Sequence, residues 1–123
     1  MDKKWKVVVY RSPSGDYPVK QFIDNLEIKA QAKVDNMVKL LQEFGILLSF
    51  PHVKKLAGTD LWELRILGRD NLRVLYVAVA GRTFVLLHGF KKKKDKTPQK
   101  EIKIAESRLT EYRSRETNLT LRS

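Results

Sequence analysis

Three β-type segments follow one another in the third quarter of the chain, and no other feature constrains the fold as strongly. They span residues 61–66, 72–77 and 84–90, and only short turns separate them. Turns of this length join neighbouring antiparallel strands. The sequence therefore predicts a β-meander, in which the three segments lie side by side in one sheet.

Each of these segments carries a charged or titratable side chain among apolar residues: Arg65, Arg73 and His88. A charge inside a packed strand costs free energy unless it meets a partner or a ligand. The third segment also runs directly into four lysines, 91–94. This pattern predicts an anion site on one face of the sheet, and we expect the anion to be an RNA phosphate.

The first half of the chain predicts one strand and two helices. Residues 5–11 are rich in β-branched and aromatic side chains and predict a strand. Asp16 is expected to cap a first helix. Apolar residues at helical spacing predict a second helix over 28–44, which Gly45 would end. We expect the apolar connection at 46–52 to be packed.

The last predicted element is a helix that Thr97 would cap, with Pro98 at its first position. Its apolar stripe comprises Ile102, Ala105, Leu109 and Tyr112. The order β-α-α-β-β-β-α predicts an α+β fold, an antiparallel sheet with two N-terminal helices and a C-terminal helix packed on it. We predict a single domain over residues 1–115 and a disordered tail over 116–123.

Alternation along the first segment of the meander sorts its side chains into two faces. Glu63 and Arg65 share one face, and the core face is expected to receive Trp62, Leu64 and Ile66. One hairpin register would set Arg73 opposite Arg65, so that an anion bridges the two guanidinium groups; a shift by one residue would separate them. Alternatively, Arg65 pairs with Glu63 or Asp70 and solvates an open face.

His88 is expected to share a strand face with Phe84, Leu86 and Phe90. The ordinary pKa of a histidine suits proton transfer near neutral pH, and the alternative is a structural histidine. The candidates for stacking on RNA bases, each of which alternatively belongs to the core, are Tyr76, Phe90 and Tyr112.

The composition indicates the class of partner. A net charge of +11 over 123 residues predicts binding to nucleic acid, an acidic protein or a membrane surface. The absence of cysteine excludes disulfides and thiolate metal sites, and two histidines make a histidine-rich zinc site improbable. We expect a cytoplasmic protein, because the N-terminus is too polar for a signal peptide and no apolar run is long enough for a membrane helix.

The chain resembles the RelE/ParE superfamily of type II toxins, and most closely its HigB-like, phage-associated branch. The resemblance extends to about Arg113 and rests on the order and spacing of the stretches 50–56, 61–65, 73–76 and 87–93. It implies a toxin that cleaves messenger RNA on the ribosome and inhibits translation. It also implies a partner, an antitoxin with a helix-turn-helix DNA-binding domain that holds the toxin inactive.

The resemblance further implies which residues act. The expected catalytic residues are Arg65, Arg73, His88, Lys91 and Lys92. Neither a metal nor a cofactor is expected, because the 2′-OH of the RNA itself attacks the adjacent phosphate. The positive charge of the surrounding sequence predicts additional RNA-binding residues: Lys54, Lys55, Lys93, Lys94 and Lys96.

The sequence departs from the RelE pattern at two points. Glu63 stands where a lysine is expected, and a late tyrosine after the basic run has no clear counterpart. Glu63 would then act as a base or orient Arg65. ParE-type members of the same fold inhibit DNA gyrase instead of cutting RNA. A gyrase inhibitor and a basic nucleic-acid-binding module are therefore the alternatives to a nuclease.

Overall fold

A computed structural model describes residues 4–93 and 96–122 of the chain, with side chains described up to residue 117. A short 3₁₀ turn, Gly45–Leu47, follows the second helix. In chain order the elements are β1 (Lys6–Val9), α1 (Pro18–Asp24), α2 (Ile28–Phe44), β2 (Val53–Lys55), β3 (Trp62–Ile66), β4 (Leu72–Val79), β5 (Thr83–Lys91) and α3 (Gln99–Arg122).

The five strands form one sheet in the order β1-β5-β4-β3-β2. The meander β3-β4-β5 is antiparallel, whereas β1 pairs with β5 in parallel. The predicted α+β fold is therefore confirmed, with one strand more than the sequence predicted. That strand is β2, which is only three residues long and is held in the sheet by antiparallel pairing with β3.

Helices cover both faces of the sheet. The N-terminal helices α1 and α2 pack on one face, where the core includes Val19, Val34, Leu41, Leu64, Val74 and Leu86. The C-terminal helix α3 packs on the other face, where the core includes Leu61, Leu75, Val85, Leu87, Ile102, Ala105 and Leu109. Because helices cover both faces of the sheet, six consecutive residues of β4 are buried, rather than every second residue.

The predicted helices are confirmed, with changes at their ends. Helix α2 has the predicted bounds and ends at Gly45, while α1 begins one residue after Tyr17 rather than at a cap formed by Asp16. The carboxylate of Asp16 instead accepts a hydrogen bond from the Ser14 hydroxyl within the preceding turn. The predicted apolar stripe of α3 packs on the sheet, and this helix continues to Arg122, beyond the predicted end near residue 115. None of the helices in the described part of the chain is long and apolar enough to cross a membrane.

The prediction of a packed connection at 46–52 is wrong for most of its apolar side chains, since only Leu48 packs against the core. Leu47 is 80% exposed and Phe50 is 74% exposed. Local hydrogen bonds satisfy the backbone here, from Leu48 N to Gly45 O and from His52 N to Ser49 O. The chain consequently turns at the surface on its way from α2 to the edge strand β2. Ile46, Leu47 and Phe50 stay exposed, while Leu48 is partly buried against the core.

A β-bulge in the hairpin β4-β5 changes the face on which His88 lies. Leu75 pairs with His88 and Tyr76 pairs with Leu86, so Leu87 is an extra residue on β5. The prediction that His88 shares a face with Phe84 and Leu86 is therefore wrong, since both of those side chains lie in the core under α1 and α2. Instead, His88 lies on the α3 side of the sheet.

Beside the bulge, Gly89 allows a close approach of α1 to the sheet. A Cβ atom at this position would lie 2.4 Å from a ring carbon of Phe22 in α1. Only glycine fits without displacing that ring. The bulge and this glycine lie near the end of β5, just before the chain enters the lysine run.

Candidate functional site

The register of β3 and β4 places Arg65 directly opposite Arg73. Of the two registers that the sequence left open, this is the one that brings the two guanidinium groups together. Glu63 lies on the same face, and Lys54 of β2 is its partner on the next strand. On the opposite face Leu64 and Ile66 are buried as predicted, but Trp62 is 37% exposed. The sheet thus brings three cations and one carboxylate together on the side that faces α3.

This face is not open, contrary to the expectation from the sequence. Glu63 is 1% exposed and Arg73 is 3% exposed, because α3 and the residues before it cover them. The hydroxyl of Thr97 donates a hydrogen bond to the carboxylate of Glu63. On its other side, Glu63 Oε1 lies 3.6 Å from Nε of Arg73. Glu63 therefore holds Arg73 rather than Arg65.

Lys92 completes the group from the end of β5. Burial lowers the pKa of its ammonium group; Glu63 opposes this change, and the nearby cations Arg73, Arg65 and Lys54 add to it. The interactions of Lys92 with all four residues place it among them. We call this group, which comprises Lys54, Glu63, Arg65, Arg73 and Lys92, the basic cluster.

The basic cluster carries more positive charge than its own carboxylate balances, since four cations surround one anion. In the part of the chain that the structure describes, two buried side-chain nitrogens make no hydrogen bond: Nε of Arg65 and Nε of Arg73. Burial also lowers the pKa of Arg73. Buried donors of this kind are costly when they are left unpaired. An oxyanion is the chemical group that would offset the excess charge and accept from Arg65, which is less buried than Arg73. Nε of Arg73 faces the carboxylate of Glu63 instead.

Lys92 and Lys91 are adjacent in sequence but lie on opposite faces. Lys91 pairs with Leu72 in the register, which sets its side chain on the α1–α2 side of the sheet. There its ammonium group lies 3.3 Å from Asp70. The structure therefore does not bring Lys91 into the basic cluster, and its predicted catalytic role stays a prediction.

The predicted RNA-binding lysines are likewise divided. Lys54 belongs to the basic cluster, whereas Lys55 lies on the opposite face, with its ammonium group 5.9 Å from the ring centroid of Trp62. Lys93 and Lys96 are exposed after the end of β5. Lys94 lies outside the described residues, and the RNA-binding role of all five lysines stays a prediction.

His88 belongs to a second ionic group, which we call the histidine cluster: His88, Glu101 and Arg108. The ring Nε2 lies 2.8 Å from a carboxylate oxygen of Glu101. The ring Nδ1 lies 3.3 Å from Nη1 of Arg108. Because arginine can only donate, Nδ1 must accept, and the proton of the neutral ring is therefore on Nε2, where it is donated to Glu101.

The histidine cluster is closed by α3. Arg108 also donates to the carbonyl of Leu87, with a distance of 2.7 Å, and the ring of Phe90 stacks on His88 with a centroid distance of 5.5 Å. Burial lowers the pKa of His88, and the hydrogen bond with Glu101 opposes this effect without overcoming it. Both ring nitrogens are occupied, so the geometry favours a structural role for this histidine.

Sequence reasoning missed several residues that shape the two clusters. Glu101 and Arg108 carry no signal in the sequence, because nothing in the spacing of α3 shows which strand residue they meet. Of the predicted stacking aromatics, Tyr76 and Phe90 are buried. The third, Tyr112, is partly buried against the core on the α3 side. An exposed ring that the sequence did not single out is Phe50, whose centroid lies 5.4 Å from the guanidinium carbon of Arg65.

Comparison with known proteins gives one finding for this chain. The model of a protein family described as phage-derived protein Gp49-like (DUF891) matches residues 21–110, which include the basic cluster and the histidine cluster. The match spans well over half of the sequence, and the chain belongs to this family. A comparison with curated proteins gives no match. Membership of this family is compatible with a toxin of a toxin–antitoxin system.

Proposed function

We propose that this Gp49-like protein is the toxin of a type II toxin–antitoxin system, and that it is a metal-independent endoribonuclease acting on messenger RNA at the ribosome. The observation that carries the proposal is the basic cluster, with its excess positive charge and the two buried arginine Nε donors that make no hydrogen bond. An RNA phosphate would offset the excess charge and accept a hydrogen bond from Arg65, the less buried of the two arginines. The family membership supports the toxin, and the cluster supports RNA as its target.

In the proposed reaction, the 2′-oxygen of one ribose attacks the adjacent phosphorus. The 2′-hydroxyl releases its proton to solvent water as a bond forms between its oxygen and phosphorus. The bond from phosphorus to the 5′-oxygen breaks, the departing oxygen takes a proton, and the phosphate is left as a 2′,3′-cyclic diester. Arg65 and Lys92, both only partly exposed, would hold the phosphate. Arg73 lies behind them, and it would add positive potential while Glu63 keeps it in place.

Lys92 is the proposed proton donor to the departing 5′-oxygen. An ordinary lysine is a weak acid at neutral pH, but burial and the three neighbouring cations lower the pKa of Lys92. A lower pKa makes the ammonium group a stronger acid, which is the change that general acid catalysis near neutral pH requires. We therefore assign the proton-transfer role to Lys92 in preference to His88, whose ring nitrogens are both bonded.

The burial of Arg73 favours a second candidate. A residue that is 3% exposed does not touch a ligand while the residues that cover it stay in place. Under this reading, Arg73 has a structural role. The exposed lysines would still bind nucleic acid without cutting it. This candidate is a toxin that inhibits DNA gyrase, or a basic nucleic-acid-binding module.

The proposed partner is an antitoxin with a helix-turn-helix domain. A protein with a net charge of +11 is captured fastest by an acidic binding segment. We expect this segment to contact the surface near Lys91, Lys93 and Lys96. The complex should weaken as salt rises from about 50 mM to about 500 mM, because the distance over which charges attract each other falls about threefold over that range.

Mapping of transcript ends by primer extension tests the proposed function. The protein is induced in cells, or added to a translation extract, and the ends of a translated reporter are compared with those of an untranslated copy. New ends inside the translated copy alone support the nuclease. Growth arrest with intact transcripts and altered plasmid supercoiling would instead support the gyrase inhibitor.

A further inference from the structure

Phe50 is the most exposed aromatic ring in the described part of the chain, and it lies at the rim of the basic cluster. It is 74% exposed, although exposure of so large an apolar side chain is unfavourable in water. One of its contacts is with the basic cluster itself, since the guanidinium carbon of Arg65 lies 5.4 Å from the ring centroid. This distance is typical of a cation–π interaction.

The turn that carries Phe50 is fixed to the strand that carries Arg65. His52 N and Val53 N both donate to the carbonyl of Ser49, at 2.9 Å and 3.3 Å, and so close the turn around Phe50. The carbonyl of His52 then accepts a hydrogen bond of 2.8 Å from the backbone N of Arg65. The ring is therefore held beside the guanidinium group by the backbone and does not depend on a free loop.

We propose that Phe50 is a stacking platform for one RNA base, next to the phosphate that Arg65 holds; this inference rests on the proposed function. Arg65 approaches one part of the ring, and most of the remainder is open to solvent. A base can stack on an open aromatic face whatever its identity, and the larger face of a purine stacks more strongly. The subsite thus accepts a nucleobase, with a preference for adenine or guanine.

The neighbouring exposed apolar residues do not share this position. Ile46 and Leu47 line a separate cavity on the side of Lys4, Trp5 and Arg82. Phe50 is not part of that cavity, and its cationic neighbour belongs to the basic cluster. A nucleotide, which has a base beside a phosphate, matches the pairing of an aromatic ring with a guanidinium group better than an apolar protein segment does.

The experiment compares Phe50→Ala and Phe50→Tyr with wild type, and uses Leu47→Ala as the matched control. Leu47 is 80% exposed and lies in the same connection, away from Arg65. The first readout is the rate of reporter cleavage on ribosomes at increasing protein concentration. The second is the fluorescence of 2-aminopurine within a short single-stranded 2′-O-methyl RNA, which cannot be cleaved and whose fluorescence falls when the base stacks.

Phe50→Ala should raise the concentration for half-maximal cleavage about tenfold, as expected for the loss of one stacked base. Phe50→Tyr should restore wild-type cleavage, and Leu47→Ala should not change it. Wild type and Phe50→Tyr should quench the 2-aminopurine, while Phe50→Ala should not.

Equal half-maximal concentrations for Phe50→Ala and Leu47→Ala would overturn the stacking platform and leave the nuclease intact. If wild type cleaves no transcript, the proposed function fails, and the fluorescence readout alone decides about Phe50. Quenching that depends on an aromatic residue at position 50 would then support base binding, and quenching independent of it would refute it.

Discussion

The two ionic groups on the α3 side of the sheet differ in how completely their charges are matched. In the histidine cluster, each ring nitrogen of His88 has a partner, one in Glu101 and one in Arg108. In the basic cluster, four cations share one carboxylate, and the Nε atoms of Arg65 and Arg73 make no hydrogen bond. Both groups are largely covered by the same helix and the residues before it.

This difference separates a structural group from a candidate binding site. A closed network of hydrogen bonds offers nothing for a ligand to replace, and it stabilises the docking of α3 on the sheet. An unbalanced cationic group with free donors has a lower stability than it would have with a bound anion. The difference supports the proposal that the basic cluster binds an RNA phosphate and that His88 has a structural role.

The largest expected effect on stability comes from Arg73→Ala. This change leaves the carboxylate of Glu63 buried without its closest cation. We expect the free energy of unfolding to fall by about 3 kcal/mol, within the usual range for breaking a buried ion pair. Urea unfolding followed by circular dichroism measures this loss.

Arg65→Ala is the matched control for this prediction, because Arg65 is less buried and is not held by Glu63. Its expected cost is about 1 kcal/mol or less. If Arg73→Ala were no less stable than Arg65→Ala, the buried pair would not contribute to the fold as described. Loss of growth arrest in Arg73→Ala does not by itself place Arg73 at the reaction, since the same variant is destabilised.

A smaller effect is expected for His88→Gln. Glutamine cannot reach both Glu101 and Arg108 as the imidazole ring does, so one of these groups loses a partner. The free energy of unfolding should fall by about 1–2 kcal/mol, while cleavage by the folded variant stays close to wild type. A loss of cleavage of about a hundredfold in a fully folded variant would instead show proton transfer by His88.

The pH dependence of stability gives a separate measurement on the same residue. Burial lowers the pKa of His88 in the folded protein, so the unfolded chain binds this proton more readily. The stability of the wild type should therefore fall as the pH decreases below about 6.5, the pKa of a histidine in an unfolded chain. His88→Gln should remove this part of the decline, and an identical pH profile in both proteins would contradict the assignment.

The smallest expected effect separates Lys54 from Lys55. Lys54 faces the basic cluster, and Lys55 faces Trp62 on the other side of the sheet. Lys54→Ala should lower the slope of log affinity for single-stranded RNA against log salt concentration by about 1, as expected for one lost phosphate contact. Lys55→Ala should leave the slope unchanged, and equal slopes in the two variants would show that the face does not matter.

The sequence was sufficient to predict most of the fold. Hydrophobic periodicity predicted α2 and the stripe of α3, because helices of this length repeat the pattern over several turns. It did not predict β2, since three residues cannot show alternation and this strand depends on pairing with β3. It also did not predict the exposure of the connection at 46–52, which depends on where the chain turns rather than on its composition.

The candidate site was predicted less completely, for reasons that concern register and burial. The sequence left open whether Arg65 and Arg73 share one surface, and the observed pairing brings them together. Lys91 and Lys92 were both expected at the site, and only Lys92 joins it. A β-bulge is a shift of one residue, and the sequence does not show that the bulge after Leu75 moves His88 under α3. Such a shift reverses the face of every following residue of β5, so that Lys92 rather than Lys91 falls on the α3 side. The two lysines lie on opposite faces because side chains alternate along the chain.

The central claim is that the basic cluster holds the reacting phosphate, and the adjacent pair Lys91 and Lys92 tests it most directly. The measurement is the single-turnover rate of reporter cleavage on ribosomes by Lys91→Ala and Lys92→Ala, after urea unfolding has shown that both variants are folded. The account predicts that Lys92→Ala is slower than wild type by about a hundredfold or more, as expected for the loss of one charge-stabilising group. It predicts that Lys91→Ala, whose side chain pairs with Asp70 on the other face, cleaves at close to the wild-type rate. Equal rates for the two variants, or a larger loss in Lys91→Ala, would contradict it.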